Sequence, residues 1–196
     1  MIQISINRLL SISDGIIAIA LTLLLLNLIP PAVNQSSKVY FLDIIYDVLP
    51  EIFSYIICFW SCMMQWVLHH LIYHDVKMIS LKFVWLNFIW LFFLTLLPVF
   101  TLLMYDSNGL VFTYVFHVFL IISFLLSYLL LLSSRNHAQT RLNTSINYFI
   151  VSSLSSMMVT SLLAIVGISM FGLYGLSAWF FYGFFKNLTL TLIKKI

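Results

Sequence analysis

From Leu9 to Ile29 the chain runs for 21 residues with one charged side chain, Asp14, and then meets Pro30-Pro31, which cannot continue a helix. Apolar runs of similar length recur down the chain. About 20 apolar residues at 1.5 Å each cross a hydrocarbon core roughly 30 Å thick. Each run therefore reads as a membrane-spanning helix. The others lie at about 52–71, after Pro50; 83–105, with Pro98 as an expected kink; 110–132; 146–170; and 176–193. Asp106-Ser107-Asn108-Gly109 and the stretch Gly172–Gly175 mark tight turns between neighbouring helices. The expected fold is all-α: one polytopic six-helix transmembrane domain over residues 1–196.

Composition supports lipid as the solvent. Hydrophobic residues make up 63% of the chain and charged residues 8%, against about 45–50% and 25% in a soluble domain. So few charges do not cover the surface of a water-soluble fold. The net charge of +3 is too small and too scattered for a nucleic-acid surface. No signal-peptide cleavage pattern stands out, so the first helix is expected to stay in the mature protein. Cys58 and Cys62, one helical turn apart in an apolar run, read as buried free thiols.

Positive charge orients the helices. With six spans, one side holds Arg8, Lys77, Lys82, Arg135, Arg141, Lys186, Lys194 and Lys195, and the other holds Lys38 alone. Both termini are expected to be cytoplasmic. The stretch 32–49 is then the one sizeable outside loop, with room for a short interfacial helix.

Polar groups at membrane depth are expensive, so each one is a functional candidate. At roughly 100° per residue, Ile19, Leu23 and Leu26 fall within about 60° of one another, with Thr22 beside them. Asp14 lies about 140° away, and Ser13 also points off that stripe. Arg8 sits too far round the helix to pair well with Asp14, which should seek a partner on another helix. By depth, Trp66 and His69 on the second helix and Asn87 on the third reach its level.

The pattern Arg8-x-x-x-Ile12-Ser13-Asp14 resembles the Arg-x-x-x-Phe-Ser-Asp signature on the first helix of the transmembrane protein 175 family. Ala18 to Leu23, Trp66-x-x-His69-His70, Trp85-Leu86-Asn87 and Leu97-Pro98 also look like that family. The resemblance covers the first three helices well and the rest by number and topology. It implies a potassium-permeable channel without a Thr-Val-Gly-Tyr-Gly filter, a loop that this sequence lacks. Bacterial members carry one six-helix unit and assemble as homotetramers around a pore lined by the first helix, and a chain of this length looks like that type. It would lie in the bacterial inner membrane. The resemblance places the constriction at Ile19, further apolar rings at Leu23 and Leu26, and a hydroxyl affecting ion preference at Thr22. It implies roles in packing and gating for Arg8, Ser13, Asp14, Trp66, His69 and Asn87. Two positions depart from the family: Ile12 replaces the aromatic, and Asn27 stands where a Glu is often found.

Potassium and other monovalent cations are the expected permeant species, with no cofactor, no metal, no catalytic residue and no nucleic-acid partner. The alternatives are a small secondary transporter, using the hydroxyl seam Ser152, Ser155, Ser156 and Thr160, or a membrane metalloenzyme using His70 and His74. Transporters usually show internal repeats and interrupted helices, which are not evident here. Small hydroxyls more often let helices pack closely. The five histidines form no multi-His box.

Overall fold

A computed structural model describes residues 5–26, 41–74, 76, 79–103, 109–135 and 144–193. The elements are helical throughout: α1 (Ile6–Leu26), α2 (Phe41–Tyr73), α3 (Leu81–Leu103), α4 (Gly109–Arg135), α5 (Thr144–Phe171), a 3-10 helix (Gly172–Phe181) and α6 (Tyr182–Ile193). Stretches within the first five helices are long and apolar enough to cross a membrane: Ile6–Leu25, Ile52–Tyr73, Leu81–Thr101, Leu110–Arg135 and Thr144–Phe171. Each satisfies its own backbone polar groups along its length, which hydrocarbon demands of any spanning segment.

Two expected boundaries are corrected. α2 starts at Phe41, about three turns before the expected start at 52, and runs straight through Pro50. Pro50 removes one N–H and so leaves the carbonyl of Tyr46 without its helical donor. Both residues precede the apolar stretch that begins at Ile52, where water can serve that carbonyl. The expected sixth helix at 176–193 is divided, with a ten-residue 3-10 helix leading into a twelve-residue α-helix. Runs of 3-10 helix beyond three or four residues are uncommon. The expected stop at Pro30-Pro31 and most of the turn at 106–109 lie outside the described residues.

The chain reverses after α5 at Gly172, whose φ of 62° lies in the left-handed region that glycine adopts without strain. The 3-10 helix then packs back on α5 with backbone against backbone. A Cβ on Gly175 would overlap the nitrogen of Ile168 and the carbonyl carbon of Gly167. Only glycine fits there.

α1 packs on α3 and α2, α3 on α4, α4 on α5, and α5 on α6, while α2 also meets α4. Trp90, Phe83, Phe116 and Phe124 are the bulkiest fully buried side chains of the core. Cys58 and Cys62 are buried free thiols. The hydroxyls of Ser155, Ser156 and Thr160 donate back to carbonyls of their own helix, and Ser156 also meets Thr189 of α6 at 2.9 Å. Ser152 likewise bonds the carbonyl of Phe149 at 3.1 Å.

Candidate functional site: the two faces of the first helix

The residues of α1 sort by helical spacing into two opposite faces. Leu9, Ser13, Ile17, Ala20 and Leu24 recur at three- and four-residue steps and are buried. Arg8, Ser11, Ile12, Gly15, Ile19, Thr22 and Leu23 recur in the same way and are exposed. Ile19 is 61% and Leu23 51% exposed in the single chain. The Thr22 hydroxyl donates to the carbonyl of Ile19 at 2.8 Å, so its lone pairs face outward from the helix. The side chain of Leu26 lies outside the described residues.

The buried face is held by directional polar bonds, and the roles in them follow from donor bookkeeping. Ser13, fully buried, donates to the carbonyl of Leu9 at 2.9 Å. A carbonyl only accepts, so the Ser13 oxygen is left as an acceptor. Asn87 of α3 therefore turns its Nδ2 toward it, at 3.0 Å. That turns Asn87 Oδ1 the other way, where the Tyr73 hydroxyl donates at 2.7 Å and His69 Nε2 lies at 2.8 Å. His69 must carry its proton on Nε2 to complete the set. Four buried side chains from three helices thus form one chain of donors ending on the α1 backbone. A single interhelical bond in lipid contributes about 0.6–2 kcal/mol. Losing a member costs more, because its buried partners are stranded.

Asp14, one residue on, finds its partners on α2. The Trp66 indole donates to Oδ1 at 3.0 Å, and His70 Nε2 stands 3.7 Å from the same oxygen. His70 Nδ1 lies 3.1 Å from the carbonyl of Trp66, which fixes the proton on that nitrogen. In the neutral ring Nε2 is then bare, so it attracts the carboxylate only when His70 is doubly protonated. Arg8 is exposed on the opposite side.

A second polar junction lies one turn away along α2. Gln65, fully buried, accepts from the Trp90 indole of α3 at 3.0 Å and from the Ser123 hydroxyl of α4 at 2.5 Å. An indole only donates, which fixes the amide with Oε1 toward it. The two junctions touch through rings: His69 lies flat on Trp90, with centroids 4.6 Å apart and planes 7° apart.

Residues 8–98 match the model of a family described as the endosomal/lysosomal potassium channel TMEM175. Over this stretch the chain is similar to that family. It includes nearly all of α1, all of α2 and α3 as far as Pro98, and stops short of α4. No curated protein matches the chain. The matched stretch holds every member of the first junction, and all of the second except the α4 serine.

The expected site residues divide accordingly. Ser13, Asp14, Trp66, His69 and Asn87 come together where α1, α2 and α3 meet, while Ile19, Thr22 and Leu23 stand with Arg8 on the free face. Tyr73, Gln65, Trp90 and Ser123 were not singled out from sequence. Gln65 carried a signal, since an amide within an apolar run is expensive unless paired. Tyr73 and Trp90 read as ordinary aromatics of a hydrophobic helix. Among the described residues no three His, Cys, Asp or Glu side chains gather as metal ligands would.

Proposed function

We propose that this chain is a potassium-permeable cation channel, a single six-helix unit that assembles as a homotetramer with the exposed face of α1 lining the pore. One observation carries the reading: the face opposite the buried polar junction is open, with apolar side chains at Ile12, Ile19 and Leu23, and it lies in the family-matched stretch. Four such faces would stack rings of Ile19, Leu23 and Leu26 along an axis. Apolar rings close a pore by dewetting and admit an ion when they separate. Thr22 would offer hydroxyl oxygens between them. Preference for potassium over sodium would rest on radius and dehydration, and would be moderate. No arginine-rich helix supplies gating charge, so steep voltage dependence is not expected. The 3-10 helix and α6 would together complete the sixth crossing. With both termini cytoplasmic, the protein would sit in the inner membrane of a bacterial cell and carry no catalytic chemistry.

Reconstituted liposomes test this directly. Wild-type protein is expected to pass potassium and caesium more readily than sodium, and Ile19→Asn to raise resting flux severalfold. Flux unchanged by Ile19→Asn would remove Ile19 from the pore. A detergent complex of one-chain mass would rule out the tetramer.

A further inference from the structure

The junction at Gln65 joins two parts of the chain that the family match separates. Its donors come from Trp90 on α3, inside the matched stretch, and from Ser123 on α4, outside it. Ser127 stands 3.4 Å from the same oxygen but donates its proton to the carbonyl of Ser123 at 3.0 Å. Gln65 Nε2 has no partner among the described residues, so the side chain works through its oxygen alone. From that oxygen a continuous path leads to α1: Gln65 orients Trp90, the Trp90 ring lies flat on His69, and His69 and Asn87 hold Ser13. Gln65, Trp90, His69, Asn87, Ser13 and Ser123 are all buried, so a shift at one end meets packed neighbours rather than water.

We propose that Gln65 is a positioning residue that couples α4 to α1, so that the placement of α4 biases the exposed face of α1. Tilting or sliding α4 moves the Ser123 hydroxyl, which pulls on the acceptor shared with Trp90. The stacked ring passes the displacement to His69 and so to the Asn87–Ser13 bond. The channel reading enters only through the flux measurement below.

Two measurements test the coupling. The first labels the tryptophans with a fluorinated analogue and follows Trp66, whose indole bonds Asp14 on α1, by fluorine resonance. Ser123→Ala is expected to move the Trp66 signal by more than its linewidth, and to leave it in place when Gln65→Met is already present. The second is a double-mutant cycle of Ser123→Ala and Ser13→Ala, read as potassium flux in liposomes. The pair is expected to depart from multiplicative behaviour by at least about twofold, and to become multiplicative in the Gln65→Met background. A Trp66 signal unmoved by Ser123→Ala in otherwise wild-type protein overturns the proposal. So does a multiplicative cycle with Gln65 intact. Absence of any wild-type flux would instead reject the channel reading, and the fluorine experiment would still decide the coupling.

Discussion

The first three helices and the last three are held together by different chemistry. α1, α2 and α3 meet through side chains that bond one another across helices: Trp66 to Asp14, Asn87 to Ser13, Tyr73 to Asn87 and Trp90 to Gln65. In α5 and α6 most hydroxyls bond carbonyls of their own helix, and close approach comes from small residues such as Gly167 and Gly175. The first arrangement demands particular residues, because each donor needs a matching acceptor at one distance. The second leans more on small residues, which many sequences supply, with a few bonds across helices such as Trp179 to His117 and Ser156 to Thr189.

The sharpest way to break the comparison is to enlarge the small-residue seam. Gly175→Leu places side-chain atoms inside the backbone of α5, and is expected to abolish a monodisperse detergent-solubilised protein on size exclusion. Near-wild-type behaviour would show that the 3-10 helix is not tied to α5. Removing the polar centre of the other half comes next. Asn87→Leu strands Tyr73 and His69, at about 1–3 kcal/mol for each buried group left unsatisfied, and takes from Ser13 its donor on α3 while its bond to Leu9 stays. A marked fall in thermal midpoint is expected, and a change of less than a degree would deny the junction its structural role. Asp14→Ala is milder, since the carboxylate is partly exposed. Its expected result is a weaker oligomer or altered flux, with Asp14→Asn closer to wild type because Trp66 keeps an acceptor; normal assembly and flux for Asp14→Ala would reject a gating role. Smallest of all is Ser155→Ala, whose hydroxyl donates to the carbonyl of Val151 in its own helix at 2.8 Å. A shift within about 0.5 kcal/mol is expected. A larger loss would mean that the hydroxyls of α5 do more than permit close packing.

Much of this was legible from residues alone. The apolar runs mark the helices because hydrocarbon leaves a spanning chain few other options, and the boundaries of α3, α4 and α5 fall within three residues of expectation. Helical periodicity placed Ile19 and Leu23 apart from Asp14, and depth alone brought Trp66 and Asn87 to the level of α1. The start of α2 was less legible, since Pro50 reads as a boundary although the helix continues through it.

What the sequence determined by itself was therefore the list of helices and the two faces of α1, both consequences of one-dimensional repeats. Only the tertiary structure decided which face is buried and which donor meets which acceptor. It also showed that the expected sixth helix begins as a 3-10 helix pressed against Gly167, and that Gln65 gathers donors from two other helices. Those outcomes depend on distances between helices, which no repeat along a single helix encodes.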